Sequence, residues 1–426
     1  LCHLQQEWFY SFDNKFNYKN QLKDDNMAEP LKVIMMGGRR CGKTSALASL
    51  FEEMKNGQVK DYFTVSDRTV LETKGFETQD SLNDKTLELQ NMLESNKGNS
   101  NIFLVDKNPT SNFWLYKLHL QIPGTKREMD IEFRDSAGEF FEASGSHAQE
   151  TEEYIKNCDV FVIVVDTPYL MGSVDESTKD LCPESIDLGT NRVQDIQNFL
   201  THIDDKEGQD AKMVVFAPLK CEKWAKEPNG LNKVTDRIKE VYGTHIKNLS
   251  AYEKMNICVI PMQTSGNILF SEFRKAYIYN SIDGPVRCCK IDDETVRKED
   301  GENDLPMPGE TVVEDGEAVI NGTTLQRPYS WYQINPNDSS FAPKNCDQLP
   351  LHIIRFMLMK LMDAEANVQH GGLLGWIYDF LRDMINRIRG IFGTMNTEEL
   401  KQIIGRMQRG GLIKDTGDGI EIIKRF

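Results

Sequence analysis

Metal-cluster spacing is the first thing missing from this sequence. Its 426 residues hold nine cysteines and seven histidines, yet no Cys-x-x-Cys pair and no His–Cys cluster occurs. That excludes the usual zinc modules. The cysteines (Cys2, Cys41, Cys158, Cys182, Cys221, Cys258, Cys288, Cys289 and Cys346) are scattered, as expected of reduced thiols in a cytoplasmic protein. No apolar run reaches the length of a membrane span, and no signal peptide is evident. Positive charge is scarce: 50 Lys and Arg stand against 66 Asp and Glu, for a net charge of −16 and a pI near 5.0. General nucleic-acid binding, whose footprint is basic, is therefore not expected, although a local basic patch is compatible with that balance. A hydrophobic share of 39% supplies an ordinary core. The length implies one large domain with additions, or two to three domains.

What is present begins at residues 33–51, "VIMMGGRRCGKTSALASLF". Gly37 through Thr44 match G-x-x-x-x-G-K-[ST], the phosphate-binding loop. Glycines let backbone N–H groups curl around a β-phosphate, and the following helix points its positive end at it. Lys43 neutralises phosphate oxygens and the Thr44 hydroxyl ligates Mg²⁺. Gly37, Gly38, Arg40, Cys41, Gly42 and Ser45 complete the expected phosphate-lining set.

The rest of the chain predicts an α/β fold with a mostly parallel sheet. Residues 31–36 read as a buried strand and 44–54 as its helix. A polar insertion follows near 60–110, helical around 84–94. Residues 113–122 and 129–133 form a hairpin across "PGTKRE". Continuous apolar runs at 159–166, 213–217 and 257–262 are strands covered on both faces, with helices expected at 185–203 and 233–254. Residues 291–319 are acidic and read as a mobile surface insertion, within a longer insertion near 285–345. A hairpin turning at Asn321-Gly322 and a closing helix at 349–364 come next. The expected domains are therefore a nucleotide-binding unit at 30–365, flanked by an N-terminal extension at 1–29 and a C-terminal tail at 366–426. Residue 1 is Leu and the first methionine is Met27, so the extension reads either as upstream sequence or, from its aromatics Trp8, Phe9 and Tyr10, as an ordered segment. In the tail, Leu374, Ile377, Leu381, Ile385 and Ile388 lie on one helical stripe, followed by a capped second helix and a terminal hairpin. The stripe packs on its own domain, on a partner helix or, less readily given Asp379 and Asp383, on an anionic membrane surface.

A second motif, Asp135-Ser136-Ala137-Gly138, follows the second strand of the first hairpin. Asp135 at a strand end can hold Mg²⁺ through water, and Gly138 offers an unhindered N–H to a γ-phosphate. With these two motifs in order, the chain resembles the small GTPases and their translation-factor-related class over residues 31–362, large insertions included. In that class an N/T-K-x-D motif follows the fifth strand. The matching residues here are Leu219-Lys220-Cys221-Glu222. The resemblance implies that Lys220 covers the base with its aliphatic stem and that Glu222 accepts N1–H and the 2-amino group of guanine. Leu219 departs from the pattern, because it cannot tie this loop to the phosphate loop as Asn or Thr does. Thr264-Ser265-Gly266 resembles the backbone loop that contacts the guanine oxygen, with Ser265 at its centre. The plainer alternative makes Lys220 and Glu222 solvated surface charges.

Hydrolysis is less directly encoded. Glu139 stands where many GTPases carry a water-positioning Gln. Of Arg39 and Arg40 inside the phosphate loop, Arg39 is the candidate for a built-in arginine finger, a role worth about 10³–10⁵ in rate, and the plainer alternative has both guanidiniums facing solvent or pairing with the acidic surface. Thr110 is the best-placed switch-one threonine for the metal. The insertion ahead of it, the long later insertion and "FAPKNCDQLPLHIIRFMLMKL" together resemble the bacterial double-GTPase group. That resemblance implies a Mg²⁺-dependent guanine-nucleotide switch with slow GTP hydrolysis, in a signalling or conflict system, and an effector or second GTPase as partner. A nucleotide-binding scaffold of little or no activity and an ATPase using the same phosphate loop are the alternatives.

Overall fold

The computed structural model describes residues 31–38, 40–57, 59, 64–67, 81–97, 114–121, 128–135, 158–201, 211–281, 284–290, 295–298, 304–306, 312–314, 317–319, 323–335, 337–367 and 411–425. The extension at 1–29, Arg39, Thr110, Gly138, Glu139 and the tail helices expected between 373 and 410 lie outside the described residues.

The main sheet has nine strands. In chain order they are β1 (Leu31–Met36), β2 (Thr64–Asp67), β3 (Trp114–Gln121), β4 (Glu128–Asp135), β5 (Val160–Asp166), β6 (Lys212–Leu219) and β7 (Met255–Val259), joined by β15 (Thr416–Gly417) and β16 (Ile420–Lys424) near the C-terminus. The centre, β4-β1-β5-β6-β7, is parallel. Antiparallel strands border it on both sides, β3 and β2 beyond β4 and the C-terminal pair beyond β7. Side chains alternate across a strand, so Val33 and Met35 enter one core while Ile34 and Met36 enter the other. Both faces are covered, which is why these strands read as unbroken apolar runs.

Helix α1 (Lys43–Asn56) packs Ala46, Leu47, Leu50, Phe51 and Met54 into the first core. A capping box between Ser81 and Asp84 starts α2 (Leu82–Ser95) where the sequence predicted a helix. After β5 come a short α3 (Thr167–Gly172), then α4 (Glu184–Thr190) and α5 (Val193–Thr201) in place of the single helix expected at 185–203. The break falls at Arg192, whose φ of 51° is left-handed. Past β6, a one-turn α6 (Glu222–Ala225) precedes α7 (Gly230–Val241) and α8 (Gly243–Ser250), which divide the helix expected at 233–254. Val234, Ile238, Ile246 and Leu249 from the latter two fill the second core.

The long later insertion differs most from expectation. It starts at Ile268 rather than near 285, and it is a sheet. Strands β8 (Ile268–Ser281), β9 (Gly284–Lys290), β10 (Thr295–Lys298), β11 (Asp304–Pro306) and β14 (Thr323–Ile334) form a five-stranded antiparallel sheet in the order β11-β10-β9-β8-β14. A separate pair, β12 (Val312–Glu314) and β13 (Glu317–Val319), lies in the acidic stretch read as mobile. Short antiparallel strands need few large apolar residues, and composition alone therefore concealed them. The root of this sheet joins the second core: Phe270 stacks on Trp224 with centroids 6.0 Å apart, and the Tyr169 hydroxyl donates to the Pro328 carbonyl at 2.7 Å.

Helix α9 (Gln348–Asn367) closes the domain against the first core through Leu351, Ile354 and Phe356. The terminal hairpin, β15 (Thr416–Gly417) and β16 (Ile420–Lys424), forms as expected. It is part of the main sheet and not of a separate tail: β16 pairs with β7. Gln348 brackets the hairpin's lead-in, donating to the Leu412 carbonyl and accepting from Lys414 N, and Arg355 pairs with Asp415. His352, fully buried, lies 2.9 Å from the Lys414 carbonyl and 2.8 Å from an Arg355 nitrogen. Burial, with the nearby guanidinium of Arg355, pushes the His352 imidazole down to about 3. No helix among the described residues is long and apolar enough to cross a membrane.

Candidate functional site

The phosphate loop connects β1 to α1 at the C-terminal edge of the parallel centre, where open α/β sheets bind ligands. Gly42 stands at the helix N-cap with φ 98°, a backbone conformation that glycine adopts without penalty. The Lys43 ammonium lies within the loop, donating to the carbonyls of Gly37 at 3.3 Å and Gly38 at 3.1 Å. Burial raises the Cys41 thiol, with Lys43 partly opposing, so Cys41 packs as a neutral group. The Thr44 hydroxyl donates to Asp135 Oδ2 at 2.6 Å, bringing two of the three expected metal residues together across 91 positions. Ser45 lies in the first turn of α1, its backbone carbonyl 2.7 Å from the Ser49 hydroxyl oxygen. The oxygen pair of Thr44 and Asp135 suits Mg²⁺, a hard cation that takes few protein ligands and keeps phosphate and water oxygens. Among the described residues no cluster of three or more His, Cys, Asp or Glu competes for a metal.

The base-side residues do not lie on the surface. Lys220, at φ 61°, reaches over Gly42 toward the phosphate loop, and its ammonium donates to the Arg40 carbonyl at 3.3 Å. The same ammonium pairs with Asp166 Oδ2 at 2.6 Å and lies 5.8 Å from the centroid of the Tyr332 ring. Burial depresses the Lys220 ammonium and the Asp166 carboxylate more than reverses it, so the net shift is upward and the charge is held. The Asp166 backbone N–H donates to Asn191 Oδ1, which fixes the strand end that carries the carboxylate. Leu219, as read, makes no polar tie and is buried in the core. Two other contacts supply that tie: Lys220 to Arg40, and the Ser49 hydroxyl of α1 donating to the Thr264 carbonyl.

Glu222, 1% exposed, begins α6. Its Oε1 accepts from Ser265 N at 2.8 Å, Ser265 Oγ at 3.0 Å and Gly266 N at 3.3 Å, with Thr264 Oγ1 at 3.5 Å. Its Oε2 is buried and has no hydrogen-bond partner among the described residues. Burial raises the Glu222 carboxyl while these donors act against the rise. The Thr264-Ser265-Gly266 loop is itself clamped. Gly266 has φ 78°, and a Cβ there would come within 1.9 Å of the Ala342 carbonyl oxygen. Ala342 N donates to Ser265 O, and Gln263 and Lys344 exchange both backbone bonds.

Sequence reasoning missed four contributors. Asp166 had a signal, as the acid ending the apolar run "DVFVIVVD". Ser49 and Asn191 gave none beyond their polarity on helices. Tyr332 lies in the stretch read as a hairpin turning at Asn321-Gly322, but the pairing of its strand with β8 was not foreseen.

No curated protein matches the chain. Among solved structures, the GTPase-like domain of S. cerevisiae Ski7 bound to GTP matches at 9% identity and a TM-score of 0.32, covering 74% of this chain and 76% of that one. The same domain bound to GDP and inorganic phosphate matches at 10% and 0.33, covering 73% and 72%. Bacterial selenocysteine-specific elongation factor EF-Sec matches at 12% and 0.24, covering 73% and 43%. The strand order described above defines the fold. The Double-GTPase 2 family model matches residues 33–266, more than half of the chain, and takes in the phosphate loop, Asp135, the Lys220–Glu222 segment and Ser265. With that match over these residues, the chain belongs to the Double-GTPase 2 family.

Proposed function

We propose that this chain is a Mg²⁺-dependent guanine-nucleotide switch that hydrolyses GTP slowly. One observation carries the reading: Lys220 ties the base-side loop directly onto the phosphate loop, through the Arg40 carbonyl. A nucleotide whose phosphates lie in Gly37–Thr44 thus meets Lys220 and Glu222 with its base. Lys43 moves from loop carbonyls to phosphate oxygens, and the α1 N-terminus adds its partial positive charge. Thr44 and Asp135 hold Mg²⁺, which supplies charge neutralisation at the phosphates. The Lys220 stem lies along the base face, steadied at its tip by Asp166. Glu222 accepts N1–H of guanine, whereas adenine has a lone pair at that atom and repels the carboxylate. Gly138, Thr110, Glu139 and Arg39 take the γ-phosphate, metal, water-positioning and arginine-finger roles implied by their motifs, and the charge of Glu139 beside a phosphate makes turnover slow. The switch works in the cytoplasm of a bacterial signalling or conflict system, with an effector or second GTPase as its partner.

Equilibrium competition tests this. With Mg²⁺ and a ribose-labelled fluorescent GTP analogue bound, unlabelled GTP is expected to displace the label and ATP to fail at equal concentration. Equal displacement by ATP removes the guanine assignment. Single-turnover hydrolysis by the parent, Arg39→Ala and Glu139→Ala tests the catalytic half: phosphate release from the parent, slowed in both variants, is expected. No release from the parent, alone or with candidate partners, leaves a nucleotide-binding scaffold.

A further inference from the structure

The base-reading carboxylate is half occupied by its own protein. A carboxylate oxygen has about two lone pairs to offer. Glu222 Oε1 already meets three donors within 3.3 Å, all from Ser265 and Gly266. These donors are not free to leave. Ser265 Oγ also accepts from Ile268 N at 3.0 Å, which orients its proton toward Glu222. The loop on either side is fixed by Ala342, by Lys344 and by Ser49. Oε2 is the contrasting atom: buried, desolvated and without a hydrogen-bond partner among the described residues. A buried acceptor in that condition is costly until a donor reaches it.

From this asymmetry we infer that Glu222 reads a purine through Oε2 alone, so that the site recognises the N1–H of a 6-oxopurine and is indifferent to the 2-amino group. The inference rests on the guanine-nucleotide reading above and sharpens its substrate class. Guanine and hypoxanthine both present N1–H beside a 6-oxo group, and differ only in the amine at C2. With Oε1 saturated, that amine finds no open acceptor on Glu222. The site therefore takes inosine triphosphate as well as guanosine triphosphate, and rejects adenosine triphosphate because its N1 is an acceptor facing an acceptor.

The experiment uses the full chain with Mg²⁺ and the ribose-labelled GTP analogue, displaced by unlabelled GTP, ITP and ATP. A carboxylate that reads both donors loses a charge-assisted hydrogen bond with ITP, which weakens ITP by about tenfold or more relative to GTP. Reading through one oxygen predicts ITP within about threefold of GTP, since no bond to a charged group is lost. GTP binding together with an ITP deficit of about tenfold overturns the inference and leaves the guanine switch standing. Failure of GTP to bind, or ATP binding as tightly as GTP, overturns both. Ser265→Ala gives a second readout. Removing the hydroxyl donor leaves Ser265 N and Gly266 N on Oε1, which still fill its two lone pairs, so ITP is expected to stay within about threefold of GTP. A ratio that widens to about tenfold in a folded variant counts against the inference.

Discussion

At the phosphate end, Gly37 to Thr44 lie within eight consecutive positions, and among the described residues the expected metal partner from elsewhere is Asp135. The base end is drawn from six segments: Ser49 on α1, Asp166 ending β5, Lys220 and Glu222 after β6, Thr264–Gly266 after β7, Tyr332 on the inserted sheet and Ala342–Asn345 before α9. The difference follows from what each end must recognise. Phosphate oxygens are met by backbone N–H groups, a helix terminus and one cation, all of which a single turn can present. A base edge requires side-chain acceptors at set positions in a dry pocket, and only tertiary structure holds them there.

Substitutions can break this contrast or sharpen it. Lys43→Ala has the largest expected effect. It removes charge-assisted hydrogen bonds of ~1.5–3 kcal/mol each, so GTP and inorganic tripolyphosphate should both lose about 100-fold or more in affinity by titration calorimetry. Asp166→Ala acts on the base end. It strands the Lys220 ammonium, whose side chain is 20% exposed. Removing one partner of such a pair costs ~3 kcal/mol at the lower end of buried cases. Urea unfolding should show the loss, with Asp166→Asn showing a smaller one, and an unchanged midpoint would deny Asp166 its positioning role.

Gly266→Ala comes next. A left-handed φ and a clash with the Ala342 carbonyl should displace the loop that holds Glu222, at a cost of ~1–3 kcal/mol. GTP affinity is expected to fall about tenfold or more, in keeping with that cost, while tripolyphosphate binds as before. Equal loss of both ligands would show that the two ends are not separable. A pH-dependent effect concerns Glu53, on the same helix as Thr44. Its Oε2 accepts from Cys346 N at 2.7 Å and Asp347 N at 3.1 Å, at the start of α9. Burial and the Asp347 carboxylate raise the Glu53 carboxyl to about 8. The native state then binds more protons than the unfolded one, so stability falls as pH rises from about 4.5 to about 8. Glu53→Gln should flatten that slope in denaturation midpoints measured across the interval.

Much of this was legible in the sequence because it is local. Strands buried on both faces read as apolar runs, and the phosphate loop and Asp135 each stood beside their strand. The inserted sheet was not, since β9 to β13 are short and carry charge and turn residues among few large apolar ones. The site followed the same division. Lys220 and Glu222 were found from an imperfect motif, and surface exposure was a fair alternative until the structure placed Glu222 in the interior. The departure at Leu219 suggested a missing tie. The tie exists, but it is made by Lys220 and by Ser49, neither of which announces that role in sequence.

The C-terminal hairpin bears on the order in which the protein can be made. Asn345, next to Lys344 in the segment that bonds Gln263, donates to the Asp418 carbonyl and receives Lys414 Nζ, while β16 occupies the open side of β7. During translation the phosphate loop therefore emerges well before the strand that borders the base loop. A nascent chain holds the residues that grip phosphate before it holds the strand that flanks the base-side loop.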